Sequence, residues 1–315
     1  VGKVTHGCLF CGKALSIFQD RIFDTRFGSE GLFNISRCES CGLIQLSPCP
    51  SVDELKQLYE TYYNFGGSKK GIYTKLRKIF LESVCYRLWM AIDGDVCFHS
   101  RRGQGRLLDI GCNEGQGLQI YKQNGFIAEG LELNERAASE ARKRGFRVFT
   151  DSLETFQPEQ LYDVAVLSHV LEHFVNPKEM LTHAARILKP EGQIWISCPN
   201  IESWQRDIFG RYWINWHVPF HITFFSVATL NALLNDTGFK VVKIKYATPS
   251  LWAAQSLIAL FFAKKGKKNY AQRSPILLGS FMIFVRFIFF PFLWLGNLIG
   301  SGDCLSIEAQ RKTNY

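Results

Sequence analysis

Residues 107–117 read LLDIGCNEGQG, and they decide the fold. An apolar run ends on Asp109 and Ile110, and Gly111, Gly115 and Gly117 follow at the spacing G-x-x-x-G-x-G. A buried strand that breaks into a glycine turn and then a helix reads this way, because glycine reaches left-handed backbone that other residues resist. The spacing differs from the G-x-G-x-x-G of dinucleotide-binding turns. Asp109 and Glu114 flank the turn, and two carboxylates beside a helix N-terminus would repel the pyrophosphate that this position otherwise attracts. A cationic ligand suits the turn better. Glu132 stands 21 residues beyond Gly111 at the end of the next apolar run, where a carboxylate can accept hydrogen bonds from ribose hydroxyls.

Outward from the turn, strand-like and helix-like runs alternate. The strand stretches are RLLDIG from 106, IAEGLEL from 127, RVFTD from 147, YDVAVLS from 162, GQIWISCPN from 192 and FKVVKIKY from 239. Helical patterns lie between them at ERAASEARKRG from 135 and KEMLTHAARILKPEG from 178, the second stopped by Pro190 and Gly192. SVATLNALLND from 226 follows as a further helix. Apolar strands alternating with helices predict an α/β fold, a Rossmann-like, doubly wound and mostly parallel sheet with ligands at the carboxyl ends of its strands.

Four stretches together resemble the class I S-adenosylmethionine-dependent methyltransferases over about 106–250: LLDIGCNEG from 107, LEL from 131, YDVAVLSHVLEH from 162 and LKPEGQIWISCPN from 188. The family loop usually carries glycine where Asn113 stands, so this chain departs from the pattern there. The resemblance implies S-adenosyl-L-methionine as cofactor. Asp109, Gly111, Cys112, Asn113 and Gly115 would shape the methionine pocket, Glu132 would hold the ribose with Leu133 beside it, and Ser168 and His169 would close over the cofactor. Asp151 and Ser152 would flank the adenine, although a solvated loop acid also fits Asp151. The final stretch CLSIEAQRK from 304 resembles the family's last, antiparallel strand, inserted beside the strand from 239.

The stretch SHVLEHF from 168 contains His169, Glu172 and His173 in the order H-x-x-E-H, a pattern of inverted zinc peptidases. Such a site needs both histidines on one long helix. Here His169 follows a strand directly and Pro177 comes four residues after His173, so the peptidase reading fails. Between the fifth strand and the helix from 226 lies an aromatic segment with Trp204, Tyr212, Trp213, Trp216 and Phe220, and with His217 and His221 four apart. Aromatic walls with few polar groups describe a substrate pocket. His169, His217 and His221 are the candidates for a catalytic base; the pair at 217 and 221 is equally open to pinning the loop through backbone hydrogen bonds.

Residues 1–50 form a separate head. Cys8-x-x-Cys11-Gly and Cys38-x-x-Cys41-Gly are two matched knuckles, the demand of a four-sulfur structural zinc site in a ribbon; iron would also fit the cage. Phe18, Ile22, Phe23, Phe27, Phe33 and Ile35 supply the ribbon arms, and the other six cysteines lack partner spacing. Residues 51–105 read as a helical connector in which Tyr59, Tyr62 and Tyr63 approach either the site's mouth or a packed surface. The methyltransferase domain takes 106–250 and 301–315.

The remaining segment, 251–300, is an apolar helical insertion. From Ile276 to Ile299 the only charge is Arg286, a stretch longer than the ~20 helical residues that span a bilayer. If the flanking strands share one sheet, the insertion must leave and return on the same side, which predicts a bent interfacial hairpin rather than a crossing; a protein interface is the other reading. The net charge of +9 sits in two segments, 61–106 and 251–315, each with a net +6. Lys264, Lys265, Lys267, Lys268 and Arg273 lie between the two apolar runs, which suits an anionic membrane surface. Nucleic acid fits poorly, because the central cleft is acidic. The first residues show no export signal, and ten cysteines then point to a reducing, cytoplasmic setting at the inner membrane face. The expected function is methyl transfer to a small or lipid-linked acceptor, a sugar or glycan intermediate first. A quinone-type O-methyltransferase, a nucleic-acid-binding protein and a non-catalytic scaffold are the rivals.

Overall fold

In the computed structural model, residues 7–62 and 83–313 are described. The ribbon arms are β1 (Leu15–Ile22) and β2 (Phe33–Cys38), antiparallel, followed by β3 (Ile44–Ser47). Helix α1 (Val52–Tyr62) leads away from the head, and α2 (Val84–Asp93) leads into the main domain. Tyr63 and the cations at 69–78 lie outside the described residues.

The main domain runs β4 (Arg106–Ile110), α3 (Gln116–Gln123), β5 (Ile127–Leu131), α4 (Glu135–Lys143), β6 (Val148–Phe149), β7 (Tyr162–Ser168), α5 (Pro177–Ile187) and β8 (Leu188–Pro199). Then come α6 (Trp204–Phe209), β9 (Thr223–Phe224), α7 (Val227–Asp236), β10 (Phe239–Ala247), α8 (Ser250–Phe262), α9 (Pro275–Leu298) and β11 (Cys304–Arg311). Seven strands form one sheet in the order β10-β11-β8-β7-β4-β5-β6. Only β11 runs antiparallel to its neighbours, as expected for the last strand.

Helix starts follow side-chain caps. Asn134 accepts from the N–H groups of Arg136 and Ala137, and Ser226 with Thr229 closes a capping box on α7. Pro177 opens α5, its fixed φ suited to the first helical position, where the sequence suggested an interruption. The stop also differs from expectation: α5 ends at Ile187, and Pro190 and Gly192 lie inside β8. A register shift between Tyr162 and Val164 accommodates them, since proline in a sheet needs a bulge or an edge.

The head is sewn to the main domain. β9 pairs with β3 as the fourth strand of the ribbon sheet. One core cluster joins Ile22, Ile35, Ile44 and Leu46 of the head to Trp213, Trp216, Ile222 and Phe224. The aromatic segment expected to wall a pocket is therefore largely interior: Trp213 is 1% exposed, and Trp216 and Phe220 are equally buried. The reason is the head itself, which offers those rings an apolar sheet to cover.

Helices α8 and α9 form a hairpin, and α9 is one continuous helix through Pro291. Among the described residues it is the one helix long and apolar enough to span a bilayer. Much of its surface faces outward, with Ile276 83% and Phe287 78% exposed. Its inner side is fastened. Arg286 reaches Asp93 at 3.2 Å, Asp93 accepts from the Ser250 N–H at 3.0 Å, and Gly296 sits so close to Trp204 that a Cβ there would lie 2.3 Å from the indole nitrogen.

Just before β11, Asp303 is fully buried and accepts from Ser203 Oγ (2.5 Å), Trp213 Nε1 (2.8 Å) and Asn215 Nδ2 (3.2 Å). This one carboxylate ties the aromatic segment to the sheet. Asp303→Ala would leave three buried donors unpaired and should lower unfolding stability by ~2–4 kcal/mol in chemical denaturation. A loss under ~0.5 kcal/mol would show that the segment is held by packing alone.

Candidate active site

The glycine turn after β4 is left-handed at three positions, Gly111 (φ 76), Asn113 (φ 50) and Gly115 (φ 74). Asn113 thus adopts the conformation for which glycine is usual, and its side-chain carbonyl accepts from the Glu114 N–H at 2.8 Å. Asparagine tolerates that region through such local bonds. Bare backbone is required at the glycines: a Cβ on Gly111 would lie 2.7 Å from Val170, and one on Gly115 2.8 Å from Ala141. Glu132 closes the turn. It accepts from the Asn113 N–H at 2.9 Å and the Asn134 N–H at 2.8 Å.

Asp109 and Glu132 therefore stand together at adjacent strand ends, and burial raises both pKa values. For Asp109 burial and then the Glu132 charge push it up to about 7. Cys112 is buried behind the turn, whereas Leu133 is 67% exposed, an apolar surface beside the acid at the height where a flat ring could rest. Two mutually repelling carboxylates, bare backbone and an open apolar residue fit a cationic nucleoside such as S-adenosylmethionine.

Across the cleft, Ser168 at the end of β7 donates to Val96 O at 3.3 Å and accepts from Ser197 Oγ at 3.2 Å. His169 follows in left-handed backbone (φ 56), with Nδ1 3.7 Å from Glu172 and its ring 5.1 Å from that of Trp252. Asp151, two residues beyond β6, is exposed and lines a cleft of about 270 Å³ with Arg106, Phe149 and Tyr162. The Ser152 hydroxyl contacts Thr155 at 3.1 Å. Sequence reasoning missed His99, which shares a hydrogen bond with Tyr86 at 2.7 Å and packs with Asp109 around Gly117. It missed Trp252 as well, because that residue lies in the apolar insertion; no sequence spacing links either residue to the turn.

Behind His169 lies a second layer. His217 and His221 are buried and His173 is partly buried, and desolvation lowers the pKa of each. His173 Nδ1 lies 2.9 Å from Phe220 O and 2.7 Å from the Tyr59 hydroxyl, so Tyr59 reaches this layer. His221 Nδ1 donates to Asn215 O at 2.8 Å, and its Nε2 lies 3.3 Å from His217 Nδ1. The H-x-x-E-H residues occupy a strand end and a single 3-10 turn, Leu171–His173, as the rejection of a peptidase helix required.

In the head, the sulfurs of Cys8, Cys11, Cys38 and Cys41 lie within 4.8 Å of one another, and the Cys8–Cys41 and Cys11–Cys38 pairs are each 3.4 Å apart. Each knuckle closes the same way, with the Gly12 N–H donating to Cys8 O and the Gly42 N–H to Cys38 O. Four converging thiols at these distances fit a tetrahedral metal cage.

Residues 93–244 match the family model described as a methyltransferase domain. A probable S-adenosylmethionine-dependent methyltransferase of Mycolicibacterium smegmatis is 30% identical over 45% of this chain and 55% of its own length. The ubiquinone biosynthesis O-methyltransferase of Rickettsia felis is 22% identical over 62% of this chain and 81% of its own. The chain spans about half the length of the first curated relatives it matches. A solved S-adenosylmethionine-dependent methyltransferase from Archaeoglobus fulgidus is 23% identical, with a TM-score of 0.45 over 76% of this chain and 100% of that one.

A cation prefers Asp109 ionised, so its binding expels the proton that the free site holds below about pH 7. Affinity for S-adenosylmethionine should then fall as pH drops through that value, by up to ~10-fold per unit, and Asp109→Asn should flatten the dependence. Calorimetry across the range checks it, and a flat wild-type profile would refute it. Glu132→Ala should cost ~1–3 kcal/mol of binding.

Proposed function

We propose that this chain, whose residues 93–244 form a class I S-adenosylmethionine-dependent methyltransferase domain, moves a methyl group onto a lipid-linked acceptor at a membrane surface. A sugar or glycan intermediate is the first choice of acceptor. The observation that carries the reading is the contact between His169, at the cleft, and Trp252, on the first helix of the apolar hairpin. The face that suits lipid and the site that suits the methyl donor are joined through one ring pair.

When bound, S-adenosylmethionine supplies the methyl on its sulfonium. Asp109 and Glu132 would hold the donor by charge and by hydrogen bonds from its ribose, and Leu133 would lie beside the adenine. As the acceptor oxygen or carbon takes the methyl it must lose a proton, and an imidazole nitrogen of His169 takes it. Glu172, 3.7 Å away and nearly fully buried, stabilises the imidazolium. His217 and His221 stand one layer deeper and shape the wall behind His169. Cys8, Cys11, Cys38 and Cys41 would hold a structural zinc, which would brace the head without taking part in chemistry.

The outward Ile276, Phe284, Phe287 and Ile288, flanked by Lys264, Lys265, Lys267 and Lys268, support placement at an anionic membrane surface, for which we take the cytoplasmic face. Anionic headgroups contribute ~1 kcal/mol for each such lysine near the surface. A quinone-type phenol is the second acceptor, favoured by the ubiquinone O-methyltransferase relative.

Two measurements test this. Membranes incubated with the full-length protein and radiolabelled methyl donor should show label in lipid-extractable glycans, and His169→Ala should reduce turnover by ~100-fold or more while sparing donor binding. Label in the quinone fraction would select the second acceptor, and label confined to water-soluble products would overturn the lipid-linked reading. The wild-type chain should also pellet with anionic vesicles, whereas replacing Phe284, Phe287 and Ile288 with serine should leave it in the supernatant. Equal sedimentation of both would remove the hairpin from the membrane.

A further inference from the structure

In the H-x-x-E-H stretch, Glu172 faces His169 Nδ1 through one oxygen at 3.7 Å, which leaves its hydrogen-bonding capacity unused. Glu172 is 1% exposed, and neither carboxylate oxygen has a hydrogen-bond partner among the described residues. Burying an ionised carboxylate without partners costs several kcal/mol or more, on the order of what only a close charge or metal returns. Around it stand His173 and His221, and one ligand atom from each of the three residues lies within 4.8 Å of the others.

We infer that Glu172, His173 and His221 form a second metal site, separate from the four cysteines, for a borderline divalent cation such as Zn²⁺, Mn²⁺ or Fe²⁺. Tautomers support it. His173 and His221 each turn Nδ1 to a backbone carbonyl, Phe220 O at 2.9 Å and Asn215 O at 2.8 Å. An Nδ1–H donated to a carbonyl leaves Nε2 with its lone pair, which is how metal-binding histidines are oriented; on His221 that lone pair faces His217 Nδ1 at 3.3 Å, a contact the ion would replace. Tyr59 adds a further hold on His173 at 2.7 Å. Two imidazoles and one carboxylate are the donor set of facial metal triads.

The spacing needs only a small contraction, since ligand atoms ~2.1 Å from a tetrahedral ion lie ~3.4 Å apart. Charge selects among ions. Arg26 comes from the head side, with its guanidinium 3.4 Å from Ile214 O. A positive neighbour and a single acid disfavour Ca²⁺ or Mg²⁺, which demand several oxygens, and favour an ion held by nitrogen lone pairs. The ion would clasp the turn after β7 to the segment that ends in β9, and so fix the side of Glu172 that faces His169.

Metal content and cobalt spectra of the full-length protein test the site without any activity assay. Equilibrated with Zn²⁺ and dialysed, the wild type should retain two ions per chain. Replacing Cys8 and Cys38 with serine should remove one, and Glu172→Gln or His221→Asn should remove only the other. With Co²⁺ in place of Zn²⁺, the wild type should show both the intense thiolate-to-metal band of the head and a weaker nitrogen–oxygen d–d band. The second band should weaken by ~100-fold in Co²⁺ affinity in Glu172→Gln. The retained thiolate band reports that the variant's head is folded. A wild type that saturates at one ion, with the thiolate spectrum alone, overturns the site. So does a second ion that survives both Glu172→Gln and His221→Asn.

Discussion

The placement of β11 between β8 and β10 governs most of what lies around the cleft. Its ladder runs from Cys304 to Arg311 against β10 and from Cys304 to Gln310 against β8, pairing Leu305 with Tyr246 on one side and with Cys198 on the other. Whatever separates β10 from β11 in the chain must begin and end at the same edge of the sheet, which turns 251–300 into a hairpin. The same insertion lays Asp303 beside the end of β8. There its carboxylate collects Ser203, Trp213 and Asn215, although burial raises its pKa to about 6. One antiparallel strand thus positions both the hairpin and the histidine-bearing segment.

The head acts through contact rather than chemistry. Its sheet is completed by β9, which lies only two residues beyond His221, and its apolar face receives Trp213 and Trp216. Tyr59, on the helix that leaves the head, bonds His173. Asn269, in the link between the hairpin helices, donates from its backbone to Arg26 O and from its side chain to Thr25 O. The head therefore grips the second histidine layer from one side and the hairpin's lysine-bearing link from the other. A folded head is therefore a condition for the geometry of this histidine layer.

How much of this the residues disclose depends on the range of the physics. The turn at Gly111 and Gly115 was legible because left-handed backbone is a local demand, and Glu132 because strand ends in a parallel sheet recur at a fixed chain distance. The cysteine knuckles were legible for the same reason, four ligands at repeated short spacing. The aromatic segment was not. Rings dense enough to wall a pocket are also dense enough to fill a core, and only the arrival of β3 from more than a hundred residues away decides between them. Pro190 misled in a similar way: a proline ends a helix locally, yet here the helix had already ended and a bulge let the strand carry it. Trp252 and His99 carry no spacing relation to the turn they neighbour, so only the folded chain reveals them.

The hairpin's charge bears on the interfacial reading. An unpaired arginine at the centre of a spanning helix costs ~2.5–3.5 kcal/mol or more, and Arg286 sits near the middle of α9. It is not unpaired: it bonds Asp93 and Ile92 O, on the helix that enters the main domain. The helix is also held near its ends, where Gln272 bonds Gln255 O and Asn297 bonds Thr248. A helix fastened to the globular domain at its middle and its C-terminal end would carry that domain toward the hydrocarbon if it stood along a bilayer normal. On the interfacial reading proposed above, α9 lies in the plane of the surface with Phe287 and Ile276 downward. Trp252, on the partner helix, then sits at the level of the headgroups with His169 directly beside it. An acceptor carried on a lipid would meet the methyl donor without withdrawing its tail, so the energetic barrier of extracting that tail into water would never arise.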